Sequence, residues 1–501
     1  MIYSPMDGTR PRSRSLPLPA ALLSIALAHV AVQSHVITAM LCPARDGARY
    51  VKYALRLEEE REPLAVLRSS DDHPGYPLLL HGAFRAAKTL GIESPANRIR
   101  VAQLVTSASG LLLAFASYFA CRRLWGGLAA WVATFSLVTL ARPAQTFADV
   151  LSDAPHALFW TVSLLCALRG LERGRARWFA LAGLASTLAY WVRVDAVALG
   201  AAVLGACGLL VARRRMPVGL ALRSLAAFGS VFAVGLAGFY LACHRLSTKP
   251  VALKILLGDA AQGVEWPFLA VSEPLALWRP LLAIGHYVND LGQEVQFVHL
   301  ATAGVSLLFW LRQKQWRGLG HGAIFAAILF GTYSALILAV NVRYGYLAGR
   351  YFLALVPLLA GFGAHGILRA FPRRSRSVAL ALVLASLAAS APSVLKRRIH
   401  EPMHGKLEAG RWLAERIQPG DTVFDRYFFP SYLAGIRGSA TSSAAPPEGP
   451  AGHFLIVDQA DLTRHPALER LLAEGKATRV VSFSRRPTGR EGEVGVYKVA
   501  R

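Results

Sequence analysis

Acidic residues stand in two groups in the stretch that follows the first apolar run. Asp46 occurs in Arg-Asp-Gly-Ala-Arg-Tyr, and about 25 residues later Asp72 and His73 occur in Asp-Asp-His-Pro-Gly-Tyr. A carboxylate can act as general base on an acceptor hydroxyl, and a histidine can carry protons or bind a metal ion. Ionisable residues beside membrane-spanning segments are functional candidates by default. The structural alternatives are a helix cap or solvated acid for Asp46 and a capped turn before Pro74 for the second group.

The composition is typical of a membrane protein. The chain has 501 residues, 54% of them hydrophobic, and a mean hydropathy of +0.38. Several apolar runs approach the roughly 20 residues that a helix needs to cross a bilayer. Hydropathy and loop charge predict about eleven spans, near residues 17–40, 99–121, 126–141, 154–170, 178–192, 196–212, 224–245, 295–311, 319–341, 351–370 and 377–395.

The net charge of +25 does not indicate a nucleic-acid partner, because the basic residues occur in short clusters between apolar runs. All six clusters lie on one side of the membrane if residues 1–16 are a cytoplasmic segment. The transmembrane domain is then 17–395, with the acidic motifs and the tail 396–501 facing outward. The clusters are Arg10/Arg12/Arg14, Arg122/Arg123, Arg169/Arg173/Arg175/Arg177, Arg213/Arg214/Arg215, Arg312/Lys314/Arg317 and Arg373/Arg374/Arg376.

Three regions differ from simple spans. The first outer loop, about 42–98, has patterns typical of amphipathic helices on a bilayer surface. Residues 246–294 mix aromatic and charged residues, as interfacial segments do. The tail predicts a small α/β domain with a helix at 406–417, strands at 422–424, 454–457 and 479–483, and a loop at 439–452.

The order of these motifs resembles the GT-C superfamily of membrane glycosyltransferases. The nearest pattern is the glycosyltransferase 39-like branch, with its protein O-mannosyltransferases and lipid A aminoarabinose transferases. In that branch the first outer loop opens with an acidic pair and later carries an Asp-His-Pro-Pro or Glu-Lys-Pro-Pro element. Here Gly47 follows Asp46, and Gly75 ends the second element.

Two further segments carry the resemblance. Residues 191–195 resemble an Arg-Pro-Glu element between two short spans, and residues 341–352 resemble an Arg-Tyr segment that opens a late span. The resemblance covers roughly residues 15–395. It implies a polytopic α-helical fold of GT-C type, with amphipathic outer-loop helices and a small outward α/β domain.

The resemblance also implies roles for the acids. Asp46 is the implied general base. Asp149 or Asp153 is implied as a second acid in the cavity, and the sequence does not choose between them. Asp153, two residues before Pro155, could equally cap a helix, and Arg142 could simply pair with Asp149.

A departing phosphate needs fixed positive charge, which arginine supplies in a bidentate fork. Arg343 and Arg350 lie on the predicted outer face, against the positive-inside trend. By the resemblance Arg350 is the better phosphate ligand, with Tyr351 at the interface. Arg193 is a further candidate for the site. The alternative is that Arg193 and Asp195 form a purely structural ion pair. The alternative for these arginines is contact with lipid headgroups.

These features predict a hexosyl- or pentosyltransferase in the inner membrane, with its C-terminal domain outside the cytoplasm. It would move a sugar from a polyprenyl-phosphate donor to an outward-facing lipid, glycan or protein acceptor. A divalent metal ion could bind at Asp72 and His73; no other cofactor is predicted. The alternatives are a transporter or lipid-sugar flippase, and a non-catalytic GT-C relative. Transporters usually place polar residues at the midplane, whereas here the charges cluster at one face.

Overall fold

The computed structural model describes residues 16–40, 42–247, 279–313, 320–344, 348–396, 399–400, 403–418, 421–425, 428–435, 453–458, 466–485 and 493–499. Its helices are α1 (Leu18–Ala39), α2 (Arg45–Glu59), α3 (Pro63–Ser69), α4 (Gly75–Thr89), α5 (Pro95–Trp125), α6 (Gly127–Thr139), α7 (Ala141–Ala148), α8 (Asp153–Arg173), α9 (Ala176–Val192), α10 (Val197–Ala212), α11 (Val218–Cys243), α12 (Arg279–Arg312), α13 (His321–Tyr344), α14 (Val356–Ala370), α15 (Ser375–Val394), α16 (His404–Ala414), α17 (Phe429–Leu433) and α18 (Pro466–Ala473). Its strands are β1 (Thr422–Asp425), β2 (His453–Asp458), β3 (Ala477–Ser484) and β4 (Glu493–Val499).

Most of the long helices are apolar on every side, as membrane spans are. Within the described residues, eight are long and apolar enough to cross a membrane: α1, α5, α8, α10, α11, α12, α13 and α15. The pair α6 and α7, bent by 59°, would make a ninth span. The remaining two predicted spans coincide with shorter apolar helices, α9 with 17 residues and α14 with 15. The chain is a multi-pass α-helical membrane protein, as predicted.

The candidate site residues contact one another or line one cavity, which shows that their connections meet at the same end of the bundle. The connections that carry Asp46, Asp149, Arg193 and Arg350 all lie at one end of the bundle. The basic clusters after α5, α8, α10 and α14 lie at the other end. The candidate site residues are therefore gathered by the topology itself.

The first outer loop folds into α2, α3 and α4, which supply the predicted amphipathic helices. Val51 and Leu55 of α2 pack against Tyr76 and Phe84 of α4 in a buried cluster. The acidic side chain of Asp46 lies in the first turn of α2, where the helix dipole favours negative charge. The loop thus presents Asp46 from a packed helix end.

The tail contains a four-stranded sheet in the order β1-β2-β4-β3. Strands β1 and β2 are parallel, and the other two pairs are antiparallel. The predicted helix and three strands correspond to α16, β1, β2 and β3. Strand β4 was not predicted, although it has a period-2 pattern in which Val494 and Val496 are buried. The predicted loop 439–452 and residues 248–278 of the predicted interfacial segment lie outside the described residues.

The tail contacts the site end of the bundle at two places. Phe429 of α17 packs in the cluster formed by α2 and α4. Ile399 forms an isolated parallel bridge with Met40, and its N–H donates to the Ala39 carbonyl at 2.9 Å. This bridge follows α15 and brings the next residue, His400, to the end of the bundle.

Candidate active site

A cavity of about 430 Å³ opens at this end of the bundle, between α2, α7, α12 and the segment before α14. Its walls carry three carboxyl groups, two guanidinium groups and one imidazole. Those six side chains are Asp46, Asp149, Glu294, Arg142, Arg350 and His400. A cavity with both signs of charge can hold an anionic group and activate a neutral nucleophile beside it.

Asp46 lies between two guanidinium groups. Its Oδ1 is 3.1 Å from Nη2 of Arg49, one turn along α2. Its Oδ2 accepts a hydrogen bond from Nη2 of Arg350. Ala44, not Asp46, is the N-cap of α2, so the helix-cap alternative was wrong.

Asp153 is buried beneath Asp46 and is also shared by two arginines. Its Oδ1 is 2.7 Å from Nη1 of Arg193, and its Oδ2 is 3.7 Å from Nε of Arg350. Burial disfavours the charge of Arg350, but Asp153 and Asp46 outweigh burial and raise its pKa, so the guanidinium stays charged. The N-cap of α8 is Ser152. Asp153 is the first residue of the helix, and its side chain contacts the two arginines and does not cap the helix.

Arg193 is fixed from several directions. Its Nε and Nη2 each lie 3.2 Å from an oxygen of Asp195, a bidentate pairing. Its guanidinium carbon is 4.6 Å from the ring centroid of Tyr351, a cation–π distance. The Tyr333 hydroxyl, on α13, is 3.0 Å from both Asp195 Oδ2 and the Tyr351 carbonyl oxygen. These contacts join three spans to the segment that carries Arg350.

Asp149 has a different set of partners. Its Oδ1 accepts hydrogen bonds from the N–H groups of Ala44 and Val150, both at 2.8 Å. Its Oδ2 is 3.3 Å from Nε2 of His400. Arg142 instead donates to the side chain of Gln293, so the predicted Arg142–Asp149 pair was wrong. Asp149 therefore joins the start of α2, the connection before α8 and the tail at the cavity wall.

Asp72 and His73 diverge, although they are neighbours in sequence. Asp72 Oδ2 is 3.4 Å from Nε of Arg49, which links it to Asp46. The His73 ring contacts Tyr190 and Phe239, and its Nδ1 is 3.0 Å from the Tyr190 carbonyl oxygen. Among the residues that the structure describes, no three His, Cys, Asp or Glu side chains converge as metal ligands. The geometry does not support a metal ion held by Asp72 and His73 together.

Acids and arginines thus alternate along one continuous network of seven side chains: Asp72, Arg49, Asp46, Arg350, Asp153, Arg193 and Asp195. Such a network fixes each guanidinium and carboxylate before any substrate arrives. Asp149 lines the same cavity but stands outside the network. Tyr351 supports Arg193 with its ring, and the side chain of Arg343 lies outside the described part of the chain.

The site includes residues that were not predicted, among them Arg49, Glu294 and His400. Arg49 stands three positions after Asp46, a spacing that places two side chains on one helix face. Glu294 lies at the edge of a predicted span, and an ionisable residue in that position is itself an indication of function. His400 carries no sequence signal, because the Met40–Ile399 bridge brings it to the cavity.

Comparisons with known proteins find one family model and several solved structures that are similar to this chain. The family of dolichyl-phosphate-mannose-protein mannosyltransferases matches residues 89–239, the part of the bundle that contains Asp149, Asp153 and Arg193. No curated protein is significantly similar in sequence.

Solved structures share the fold. ArnT from Cupriavidus metallidurans, bound to undecaprenyl phosphate, has a TM-score of 0.57 at 14% identity, covering 96% of this chain and 98% of that one. The Archaeoglobus fulgidus oligosaccharyltransferase, in complex with zinc and sulfate, has a TM-score of 0.56 at 15% identity and covers 86% of this chain. The match spans 59% of the length of that oligosaccharyltransferase. The family match covers residues 89–239, and beyond that segment the solved structures show a shared fold.

Proposed function

We propose that this chain is a glycosyltransferase that moves a hexose or pentose from a polyprenyl-phosphate donor to an acceptor. The observation that carries the proposal is Arg350, held at the cavity wall by Asp46 and Asp153. ArnT from Cupriavidus metallidurans was solved with undecaprenyl phosphate, and AglB from Archaeoglobus fulgidus with a dolichol-phosphate. A lipid phosphate is therefore the ligand chemistry that the arginine and the shared fold favour.

Arg350 would bind the donor phosphate and stabilise it as it leaves. Negative charge grows on the phosphate when its bond to the anomeric carbon breaks. A guanidinium already fixed in a partly buried site needs little rearrangement to meet that charge. Arg193, 2.7 Å from Asp153, keeps this acid turned toward Arg350 and so acts as a positioning residue.

Asp46 is our proposed general base. A phosphate bound to Arg350 would compete with Asp46 for the guanidinium and loosen their ion pair. The carboxylate could then accept the proton of an acceptor hydroxyl while that oxygen bonds to the anomeric carbon. The lipid phosphate leaves with the electrons of the broken bond, so charge and protons balance.

We place the cavity on the outer face of the inner membrane. The basic clusters after α5, α8, α10 and α14 lie at the opposite end of the bundle, and such clusters favour the cytoplasm. The acceptor would then be a lipid, glycan or protein outside the cytoplasm, and the tail would face the same side. The described charge network lies at one end of the spans and not at the midplane, which favours a transferase over a transporter.

The test is sugar transfer by purified protein in lipid, with radiolabelled undecaprenyl-phosphate mannose, glucose and arabinose. Asp46→Asn should abolish transfer while the protein still binds undecaprenyl phosphate. The matched control is Asp71→Asn, in the same loop, whose side chain is 92% exposed. Folded wild-type protein that transfers none of these sugars and binds no undecaprenyl phosphate would contradict the proposal.

A further inference from the structure

Glu294 is a buried carboxylate that the mechanism above does not use. It lies on α12, lines the cavity, and is 1% exposed. Its Oε1 is buried and accepts no hydrogen bond from the described part of the chain. Burying a carboxylate oxygen without a partner is costly, and nearly all buried polar atoms find one. An unsatisfied acceptor at a cavity wall points to a ligand that supplies the hydrogen.

The other two carboxylates of the cavity are already engaged. Asp46 contacts Arg49 and Arg350. Asp149 accepts two backbone hydrogen bonds and contacts His400. Of the described carboxylates that line the cavity, Glu294 therefore has the most capacity left to accept a hydrogen bond from a substrate.

The helix that carries Glu294 breaks two residues later. Gln296 has φ 58° and ψ 145° inside α12, and its Nε2 donates to Ser390 Oγ at 2.6 Å. Positive φ is uncommon in a non-glycine residue and clusters at functional sites. Broken spans also mark substrate sites in membrane proteins. The break is an observation independent of the unsatisfied oxygen.

Gly349 places Glu294 close to Arg350. A methyl group at position 349 would lie 3.1 Å from Glu294 Oε2 and 2.5 Å from Arg142 Nη1. The side chains of Arg142 and Glu294 therefore both lie against the backbone of Gly349, the residue that precedes Arg350. Glu294 and Arg350 also line the same cavity, so a ligand whose phosphate contacts Arg350 shares that cavity with Glu294.

We propose that Glu294 binds hydroxyl groups of the sugar that is transferred. The inference rests on the proposed function, because it takes Arg350 as the phosphate ligand. The sugar is bonded to that phosphate, so its ring must lie beside Arg350 in a cavity of about 430 Å³. Carboxylates accept hydrogen bonds from hydroxyl groups. An acceptor hydroxyl offers the same chemistry, and the experiment separates the two sources.

The experiment measures equilibrium binding without any acceptor. Wild type and Glu294→Gln in lipid nanodiscs are titrated with undecaprenyl phosphate and with its mannose, glucose and arabinose forms. Glu294→Gln replaces the carboxyl group with an amide of nearly the same shape. Its affinity for the sugar-bearing lipid that wild type prefers should fall about tenfold, while its affinity for undecaprenyl phosphate stays unchanged. The control is Asp290→Asn, one helical turn earlier on α12 and outside the cavity.

The outcomes separate the possible failures. Equal binding of every sugar-bearing lipid by Glu294→Gln and wild type overturns the inference, and so does an effect confined to the KM of the acceptor. A wild type that does not bind undecaprenyl phosphate overturns the proposed function, and the inference falls with it. If Glu294→Gln does not fold, Glu294→Asp keeps the carboxyl group on a shorter side chain and should show the same selective weakening.

Discussion

Arg350 and Asp46, 304 positions apart in the chain, form an ion pair at the mouth of the cavity. The pair joins the segment before α14 to the first turn of α2. Both side chains are partly buried, with exposed fractions of 24% and 31%. The site is therefore complete only when the first and last parts of the bundle have packed together.

Replacing Arg350 by lysine should lower kcat/KM for sugar transfer by about 100-fold. Lysine keeps the charge but cannot make the planar fork that contacts Asp46 and a phosphate together. The measurement is steady-state transfer in lipid. Arg411→Lys, an exposed arginine of α16 with 71% side-chain exposure, is the control. An Arg350→Lys variant with wild-type turnover would remove Arg350 from the phosphate site.

Replacing Asp153 by asparagine should destabilise the fold by about 3 kcal/mol. The side chain of Asp153 is 4% exposed and faces both Arg193 and Arg350, so the variant leaves two partly buried cations without their shared partner. Thermal or denaturant unfolding in detergent measures the loss, with Asp71→Asn as control. If the losses of Asp153→Asn and Arg193→Met add up to the loss of the double variant, the two residues are not coupled.

Replacing Gly349 by alanine should reduce transfer about tenfold and leave stability within about 1 kcal/mol. The new methyl group would displace Arg142 and crowd Glu294, whose atoms lie 2.5 and 3.1 Å from its position. Both can move, because they are ends of flexible side chains. Gly82→Ala, with nothing within 4 Å of the added carbon, is the matched control. Equal activity of the two variants would show that this wall does not contact substrate.

The spans and the principal charges were predictable because each leaves a local signal. Apolar runs of span length indicate the helices. Arginines on the outer side of the membrane, where positive charge is uncommon, indicate a functional site. Arg350 was singled out in this way, and its guanidinium contacts Asp46. The eleven predicted spans all coincide with helices for the same reason.

Contacts between distant segments were not predictable. Asp72 and His73 were expected to act together, but adjacent side chains rarely face the same partner, and His73 packs against Tyr190 and Phe239. The partners of Asp149 are backbone N–H groups and His400, none of which any motif encodes. Such contacts follow from how the helices pack, which hydropathy does not determine.

The pair of His400 and Asp149 should make stability depend on pH. Burial opposes protonation of His400, but the hydrogen bond and charge of Asp149 outweigh burial and raise its pKa above the ordinary 6.5. Between the unfolded and the folded pKa, the folded state holds a proton on His400 that the unfolded state has lost. The stabilisation is therefore complete below pH 6.5 and disappears as the pH rises through the folded value.

Unfolding free energies of wild type and His400→Gln, measured in detergent from pH 5.5 to about 9, should show this difference. The wild type should lose stability relative to the variant as the pH rises above about 6.5, because only the wild type loses the ion pair. Asp149→Asn should remove the same pH dependence from the other side of the pair. Parallel curves for wild type and His400→Gln would mean that His400 does not carry the charge that Asp149 contacts. The tail would then be held at the cavity by the Met40–Ile399 bridge and the packing of α17 on the outer loop.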